Sequence, residues 1–313
     1  MSVTRAELLL RFLRSTPWAD AKRHPLSGDA SGRRYERLHG GPAPALLVDA
    51  PPPEDTPLFV RMARWLSANG LLAPTILAVD EAEGFLLVQD LGDDLLASLC
   101  SREPLCESQH YGKAVDELVR LQAAPLPDFL PPYDDTFFLF EIGIFVDWAA
   151  QSLPLPVRQD LVDRWRHVLP VAQTGVDVVV HRDFHALNLI KAGDRFAVID
   201  FQGARIGPAA YDLVSLLVDA RRDVEEATIA CASDRYLRAR QDLDPLAFSA
   251  ACAVMSAQRT TKILGLFRRL AKRDGKPGYL PLLPRVQQQL AQALGHPSLE
   301  AIRHWHAEHG FGS

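Results

Sequence analysis

The sequence predicts an α+β protein in two lobes, a small β-rich lobe over residues 1–91 and a larger, mainly helical lobe over 92–313. Three observations carry that expectation. The first ninety residues read mostly as strands, and helical periods take over after Asp90-Leu91-Gly92. A short β interruption at 177–201 breaks the helical stretch and gathers polar residues. The length, 313 residues, is long for one core and comfortable for two lobes.

The elements follow in order. Leu8, Leu9, Phe12 and Leu13 share one side of a short amphipathic helix within 2–14. Two strands flank the small-residue stretch Gly28-Asp29-Ala30-Ser31-Gly32, and a Gly40-Gly41 turn leads into the strand Ala45–Asp49. Prolines 51–53 end that strand. Phe59, Met62, Ala63 and Leu66 recur at i, i+3, i+4 and i+7, which predicts a helix over Thr56–Asn69 with Gly70 past its end. Thr75–Asp80 and Phe85–Gln89 form a hairpin around Ala82-Glu83-Gly84. Helices are expected at 94–100, 109–123, 136–151 and 155–169, and again from Tyr211 onward.

Composition narrows the functional classes. With 34 Lys+Arg against 39 Asp+Glu the net charge is −5, so no overall basic field attracts nucleic acid or anionic lipid. Hydrophobic residues make up 48% and charged residues 23%, a soluble globular profile. Cys100, Cys106, Cys231 and Cys252 form no CxxC pair, which fits a reducing cytosol. The most apolar stretch, Phe137 to Ala150, contains Glu141 and Asp147, and Glu7, Arg11 and Arg14 interrupt the first apolar run. A cytoplasmic protein with neither a membrane nor a nucleic-acid partner is expected.

The chemistry sits in the β interruption. His181-Arg182-Asp183 is followed by Asn188 five positions after Asp183, and by Asp200-Phe201 twelve positions after Asn188. An aspartate at a strand end can accept a proton from an attacking hydroxyl. An asparagine past a tight loop can turn its carbonyl oxygen to Mg²⁺, and a hairpin through Ala192-Gly193-Asp194 returns a second carboxylate to that metal. Phosphoryl transfer needs this set of groups, and the H-R-D-x-x-x-x-N…D-F spacing matches a kinase catalytic loop. The spacing predicts that Asp183, Asn188 and Asp200 converge around one divalent cation at the seam of the lobes.

With Tyr211-Asp212-Leu213 downstream, this pattern resembles the aminoglycoside phosphotransferase-like branch of the protein-kinase-like superfamily, over about residues 22 to 290. The segments GDASGRRYERL, LVQDLGD, IDFQGARIGPAAYDLVSLL and QRTTKILGLFRRLAKRDGKPGYL are similar to bacterial anomeric amino-sugar kinases of peptidoglycan recycling. Those enzymes phosphorylate C1 of N-acetylmuramate and N-acetylglucosamine. The resemblance implies a protein-kinase-like two-lobed fold, ATP and Mg²⁺ as cofactors, and an amino sugar as the small-molecule partner. It implies Asp183 as the base and Asn188 and Asp200 as metal ligands. His181 supports the loop, and Asp212 hydrogen-bonds the loop backbone. A helix-start acid favoured by the dipole reads the same Asp212 equally well.

On the nucleotide side, Gly28 to Gly32 lets backbone N–H groups approach phosphates, although a plain hairpin turn describes the same residues. Gln89, Asp90 and Leu91 fall where an interlobe hinge pairs with adenine, or where a core strand simply ends. The pattern also departs from kinases. The strand Ala45–Asp49 has no lysine, and the next helix offers Arg61 and Arg64 but no glutamate to pair with one. Arg33 or Arg34 is the candidate cation for the phosphates.

For the acceptor, Glu141 and Asp147 are acids that a polycationic aminoglycoside would need, but helix-start or surface acids is the favoured reading. Arg259 and Lys262 lie three apart on one helix face, where a guanidinium can fork the carboxylate of a muramate, unless both are solvated surface charge. Rival acceptors are an aminoglycoside, a choline-like alcohol or homoserine. A non-catalytic nucleotide-binding regulator rests on the missing lysine alone.

Overall fold

The computed structural model describes residues 3–26 and 32–311. Of the expected phosphate loop, Gly28, Asp29, Ala30 and Ser31 lie outside the described residues, and Gly32 within them. Contacts divide the chain into two compact units, Met1–Ser98 with Leu187–Gly203, and Leu99–Ala186 with Ala204–Ser313.

The first unit opens with helix α1 (Arg5–Arg14). Thr4 caps it: its hydroxyl accepts the Glu7 N–H, while the Glu7 carboxylate accepts the Thr4 N–H at 2.7 Å. Such a box stabilises a helix start by about 1 kcal/mol. Strands β1 (Lys22–Pro25), β2 (Arg34–His39) and β3 (Ala45–Asp49) follow, then α2 (Thr56–Ala68), β4 (Ile76–Asp80) and β5 (Phe85–Gln89). They form one antiparallel sheet in the order β1-β2-β3-β5-β4. Strand alternation turns Ala45, Leu47, Phe85 and Leu87 toward Leu9, Phe12 and Leu13 of α1 in one buried cluster. Each large side chain buried there contributes about 1.5–3 kcal/mol. The opposite set, Val48, Leu86 and Val88, is buried as well, so both faces of the two central strands are covered. At the β4–β5 turn Gly84 has φ +74° and its carbonyl accepts the Ala50 N–H at 2.9 Å. A Cβ there would lie 2.2 Å from the Ala50 oxygen.

Helix α3 (Leu96–Arg102) carries the chain into the second unit, through α4 (Glu107–Ala123), α5 (Asp135–Trp148), α6 (Leu155–Ala172) and β6 (Asp177–Val180). The chain then returns to the first unit as the hairpin β7 (Leu189–Ala192) and β8 (Arg195–Val198). There the Val198 N–H donates to the Leu72 carbonyl and the Lys191 N–H to the Asp94 carbonyl, both at 2.8 Å. It re-enters the second unit with β9 (Arg205–Pro208), α7 (Ala210–Leu217), α8 (Glu226–Ala239), α9 (Pro245–Lys272), α10 (Leu283–Ala293) and α11 (Glu300–Glu308). Strand β9, paired antiparallel to β6, is an addition to the sequence expectation. With four residues, one Gly and one Pro, it carries no readable alternation.

Helix α9 is the spine of the second unit. Asp244 caps it, accepting the Ala247 N–H at 2.8 Å, and Pro245 occupies the first turn, where no N–H is missed. Gln258 and Lys262 meet Glu141, and Gly265 meets Ile144 and Phe145, so α9 and α5 run alongside each other in the same direction. Only glycine permits that approach. A Cβ on Gly265 would lie 2.4 Å from the Ile144 carbonyl oxygen. The α+β expectation is borne out: a β-sheet region at the start and a larger helical part. No helix among the described residues is long and apolar enough to cross a membrane.

Candidate active site

The H-R-D…N…D-F segment is shared between the units. Asp183 belongs to the second, and Asn188 and Asp200 to the first. Among the described residues, only Arg182 (φ +75°) and Asp200 (φ +62°) hold a left-handed backbone without being glycine. Each such residue costs about 1–3 kcal/mol and persists only where its surroundings fix it.

In the first unit the hairpin fixes Asn188 and Asp200 at its open end. Leu189 pairs with Val198, and the Ile199 N–H donates to the Asn188 carbonyl at 3.0 Å. Asn188 is buried, whereas Asp200 is exposed and accepts the Gln202 amide N–H at 2.6 Å. Phe201 anchors this end, its ring centroid 4.9 Å from that of Phe59 on α2. The Arg33 guanidinium lies 5.5 Å from the same Phe59 ring and pairs with Glu54 at 2.8 Å. Burial pushes the Tyr35 phenol up; Arg33 opposes that shift, while Asp200 and Glu54 add to it. One phenol therefore senses Arg33, Glu54 and Asp200 together. Arg34 is exposed and reaches Asp49 only at 4.0 Å. The acid that pairs with the candidate cation thus exists, but ahead of α2 rather than within it. Asp49, on the strand that lacks a lysine, binds Arg5 of α1 at 2.5 Å.

The expected hinge residues make internal bonds. The Gln89 N–H donates to the Thr75 carbonyl at 2.8 Å and the Asp90 N–H to the Pro44 carbonyl at 3.1 Å. The Asp90 carboxylate holds Arg37 at 2.6 Å, and half-buried Leu91 precedes Gly92. Gly32 donates its N–H to Glu54 at 3.0 Å.

In the second unit Asp212, fully buried on α7, braces the loop. Its carboxylate accepts the His181 N–H at 2.6 Å and the Arg182 N–H at 2.9 Å. Burial pushes this carboxyl up to about 7, against the pull of those two donors. His181 is buried too, and its Nδ1 accepts the Asp183 N–H at 3.3 Å. Around the loop stands a charge network centred on Glu141, which is 0% exposed. Its Oε1 accepts from Lys262 at 2.6 Å and Arg182 at 2.7 Å, and its Oε2 from Tyr133 at 2.5 Å and Gln258 at 3.0 Å. Burial alone would raise the Glu141 carboxyl, but the Lys262 and Arg182 charges prevail and hold it at about 2.

Two sequence expectations change here. Glu141 is no surface acid but the buried counter-ion of two cations. Lys262 is buried against it rather than solvated or turned to a ligand carboxylate. Asp147 is exposed on α5, apart from this network.

A cavity of about 330 Å³ opens beside the loop, with Asp183, Glu141, Arg182, Lys262, Arg259 and Arg221 on its wall. With Arg269 added, five cations line it against two carboxylates. Burial acts to raise the Asp183 carboxyl, yet Lys262, Arg182 and Arg259 outweigh burial and hold it well below the usual carboxylate range. His185 contributes no charge at neutral pH, since burial and Arg221 push it down to about 4. Sequence reading missed Arg221, Tyr133, Gln258 and Glu54. Only Glu141 left a signal, as an acid inside an apolar run.

Among the described residues no three His, Cys, Asp or Glu side chains stand together as a metal cluster. Asn188 and Asp200, held by their backbones at the open end of the hairpin, offer one amide and one carboxylate oxygen that could hold a metal. Two hard oxygen donors suit a cation that keeps most of its positions for phosphate and water.

The sequence profile of the phosphotransferase enzyme family matches residues 22–248. The chain belongs to that family. It is a phosphotransferase, as the motif spacing led one to expect. The N-acetylmuramate/N-acetylglucosamine kinase of Caulobacter vibrioides is 34% identical, covering 97% of this chain and 96% of that protein. A choline/ethanolamine kinase family protein from Mesorhizobium loti superposes with a TM-score of 0.67 at 13% identity, over 98% of this chain and 100% of that one. An aminoglycoside phosphotransferase solved with ADP and hygromycin B gives 0.65 at 16% identity, over 90% and 97%. The phosphotransferase thus has the protein-kinase-like fold.

Proposed function

We propose that this phosphotransferase is a cytoplasmic, ATP- and Mg²⁺-dependent kinase that phosphorylates the anomeric hydroxyl of N-acetylmuramate and N-acetylglucosamine. Residues 1–91 bind the nucleotide, and residues 92–313 supply the catalytic loop and the acceptor site. The identity to the Caulobacter vibrioides kinase over nearly the whole chain supports the acceptor. The structural observation that carries the choice is the cationic cavity beside Asp183, which repels a polycationic aminoglycoside and suits a neutral or anionic sugar.

Asp183 orients the acceptor hydroxyl and takes its proton. Its depressed pKa keeps it ionised at working pH, at the cost of basicity. That cost is tolerable because an anomeric hydroxyl is more acidic than an ordinary alcohol and because phosphoryl transfer passes through a loose transition state. Asp212 and His181 hold the loop, so Asp183 keeps one orientation. Arg33, held by Glu54, grips the phosphates in place of a strand lysine. Asn188 and Asp200 would hold Mg²⁺, which when bound neutralises phosphate charge.

An ADP-release assay over N-acetylmuramate, N-acetylglucosamine, choline, homoserine and an aminoglycoside tests the reading. Turnover is expected on the two amino sugars, with a sugar 1-phosphate visible by phosphorus NMR. Turnover confined to the other three compounds overturns it.

A further inference from the structure

Helix α9 turns Arg259, Lys262, Ile263 and Leu266 to the cavity, at i, i+3, i+4 and i+7. The cations in that cavity are not equivalent. Lys262 and Arg182 are both matched by Glu141. Arg259 is 3% exposed, and it donates a long hydrogen bond, 3.5 Å, to the Val218 carbonyl. Its charge acts on Asp183, which already stands under Lys262 and Arg182. Arg221 reaches the His185 ring at 3.4 Å, and that ring is neutral at pH 7. Asp219, which accepts the Arg221 backbone N–H at 2.8 Å, is not on the cavity wall. A guanidinium buried without a carboxylate is costly, and an anion entering the cavity removes that cost.

N-acetylmuramate and N-acetylglucosamine differ by one group, a lactyl ether that carries a carboxylate. We infer that Arg259, with Arg221 in the same cavity, is the subsite for the acceptor's carboxylate and sets the preference for the muramate over the glucosamine. This rests on the amino-sugar reading above and adds the residues that tell the two sugars apart. Arg259 supplies a planar fork that matches a carboxylate, and the apolar Ile263 and Leu266 leave it little competition from water.

The test compares the two sugars and the methyl ester of N-acetylmuramate, which keeps the shape and removes the charge. In Arg259→Gln and in Arg221→Met the ratio of kcat/KM for muramate over glucosamine falls about tenfold to a hundredfold. The wild-type enzyme shows a similar drop from acid to ester. Calorimetry of acid against ester reads the same subsite without turnover. A ratio that stays put in Arg221→Met, an equal loss on both sugars in an Arg259→Gln protein with a native melting curve, or an ester bound as well as the acid overturns the inference. A wild-type enzyme that turns over neither sugar, yet still prefers acid to ester in calorimetry, sinks the kinase reading and leaves this subsite standing.

Discussion

In the first unit Arg33 pairs with Glu54, and the Tyr35 phenol senses both of them together with Asp200. In the second unit a buried carboxylate, Glu141, answers two cations, while Arg259 and Arg221 on the wall of the same cavity form no ion pair among the described residues. Under the proposed function, the contrast follows the partners each side receives. A nucleotide brings its own metal to offset the phosphates, so the protein's side can be close to neutral. An anionic acceptor arrives without a counter-ion, so the cavity must hold the surplus charge beforehand. Burial also acts differently within the second unit. Glu141, faced by full charges, is held at about 2, while Asp212, faced by two neutral N–H groups, rises to about 7.

The sharpest way to break this contrast is Asp183→Asn. It should lower kcat about a thousandfold while Mg-ATP affinity, measured by calorimetry, stays within a few-fold. A variant that loses nucleotide and acceptor affinity together would erase the division. Next in size is Glu141→Gln, which strands Lys262 and Arg182 and should cost about 3–5 kcal/mol in urea unfolding. Its pH dependence has a definite sign. The folded carboxyl titrates at about 2 and the unfolded one near the ordinary glutamate value of 4.5, so its stabilisation is complete above 4.5 and fades as pH falls toward 2. Melting temperature against pH should therefore be flatter over that window in the variant than in the wild type.

Gly265→Ala forces a Cβ into the α5 backbone and should destabilise by about 2 kcal/mol. By shifting α9 against α5 it should raise the acceptor KM more than the nucleotide KM. Smallest is Arg33→Gln, expected to raise the ATP KM about tenfold and leave the acceptor KM alone. An equal rise in both would merge the two regions.

What the sequence disclosed depended on periodicity and spacing. The sheet and the long helices were readable because Leu8–Leu13, Phe59–Leu66 and Phe85–Gln89 repeat at helical or strand period. The H-R-D…N…D-F spacing was readable because a loop and a hairpin fix it within twenty-one residues. The charge network was not, because its members come from separated elements. Glu54 sits in a proline-rich connector, Arg221 follows α7 in an irregular stretch, and Tyr133, Glu141 and Gln258 meet only when α5 and α9 pack. Lys262 looked like a surface charge since one helix face cannot reveal what the next helix brings to it.

The return of the chain to the first unit at Leu187 sets a timetable for synthesis. When the ribosome has finished the five-stranded sheet, Phe59 still lacks Phe201, and the Leu72 carbonyl lacks the Val198 N–H. Those partners are made roughly a hundred residues later, after half of the helical unit has emerged. A truncated product ending at Ser98 would carry the sheet without the hairpin that completes its unit, and under the proposed function nucleotide binding then waits until the middle of the chain has been translated.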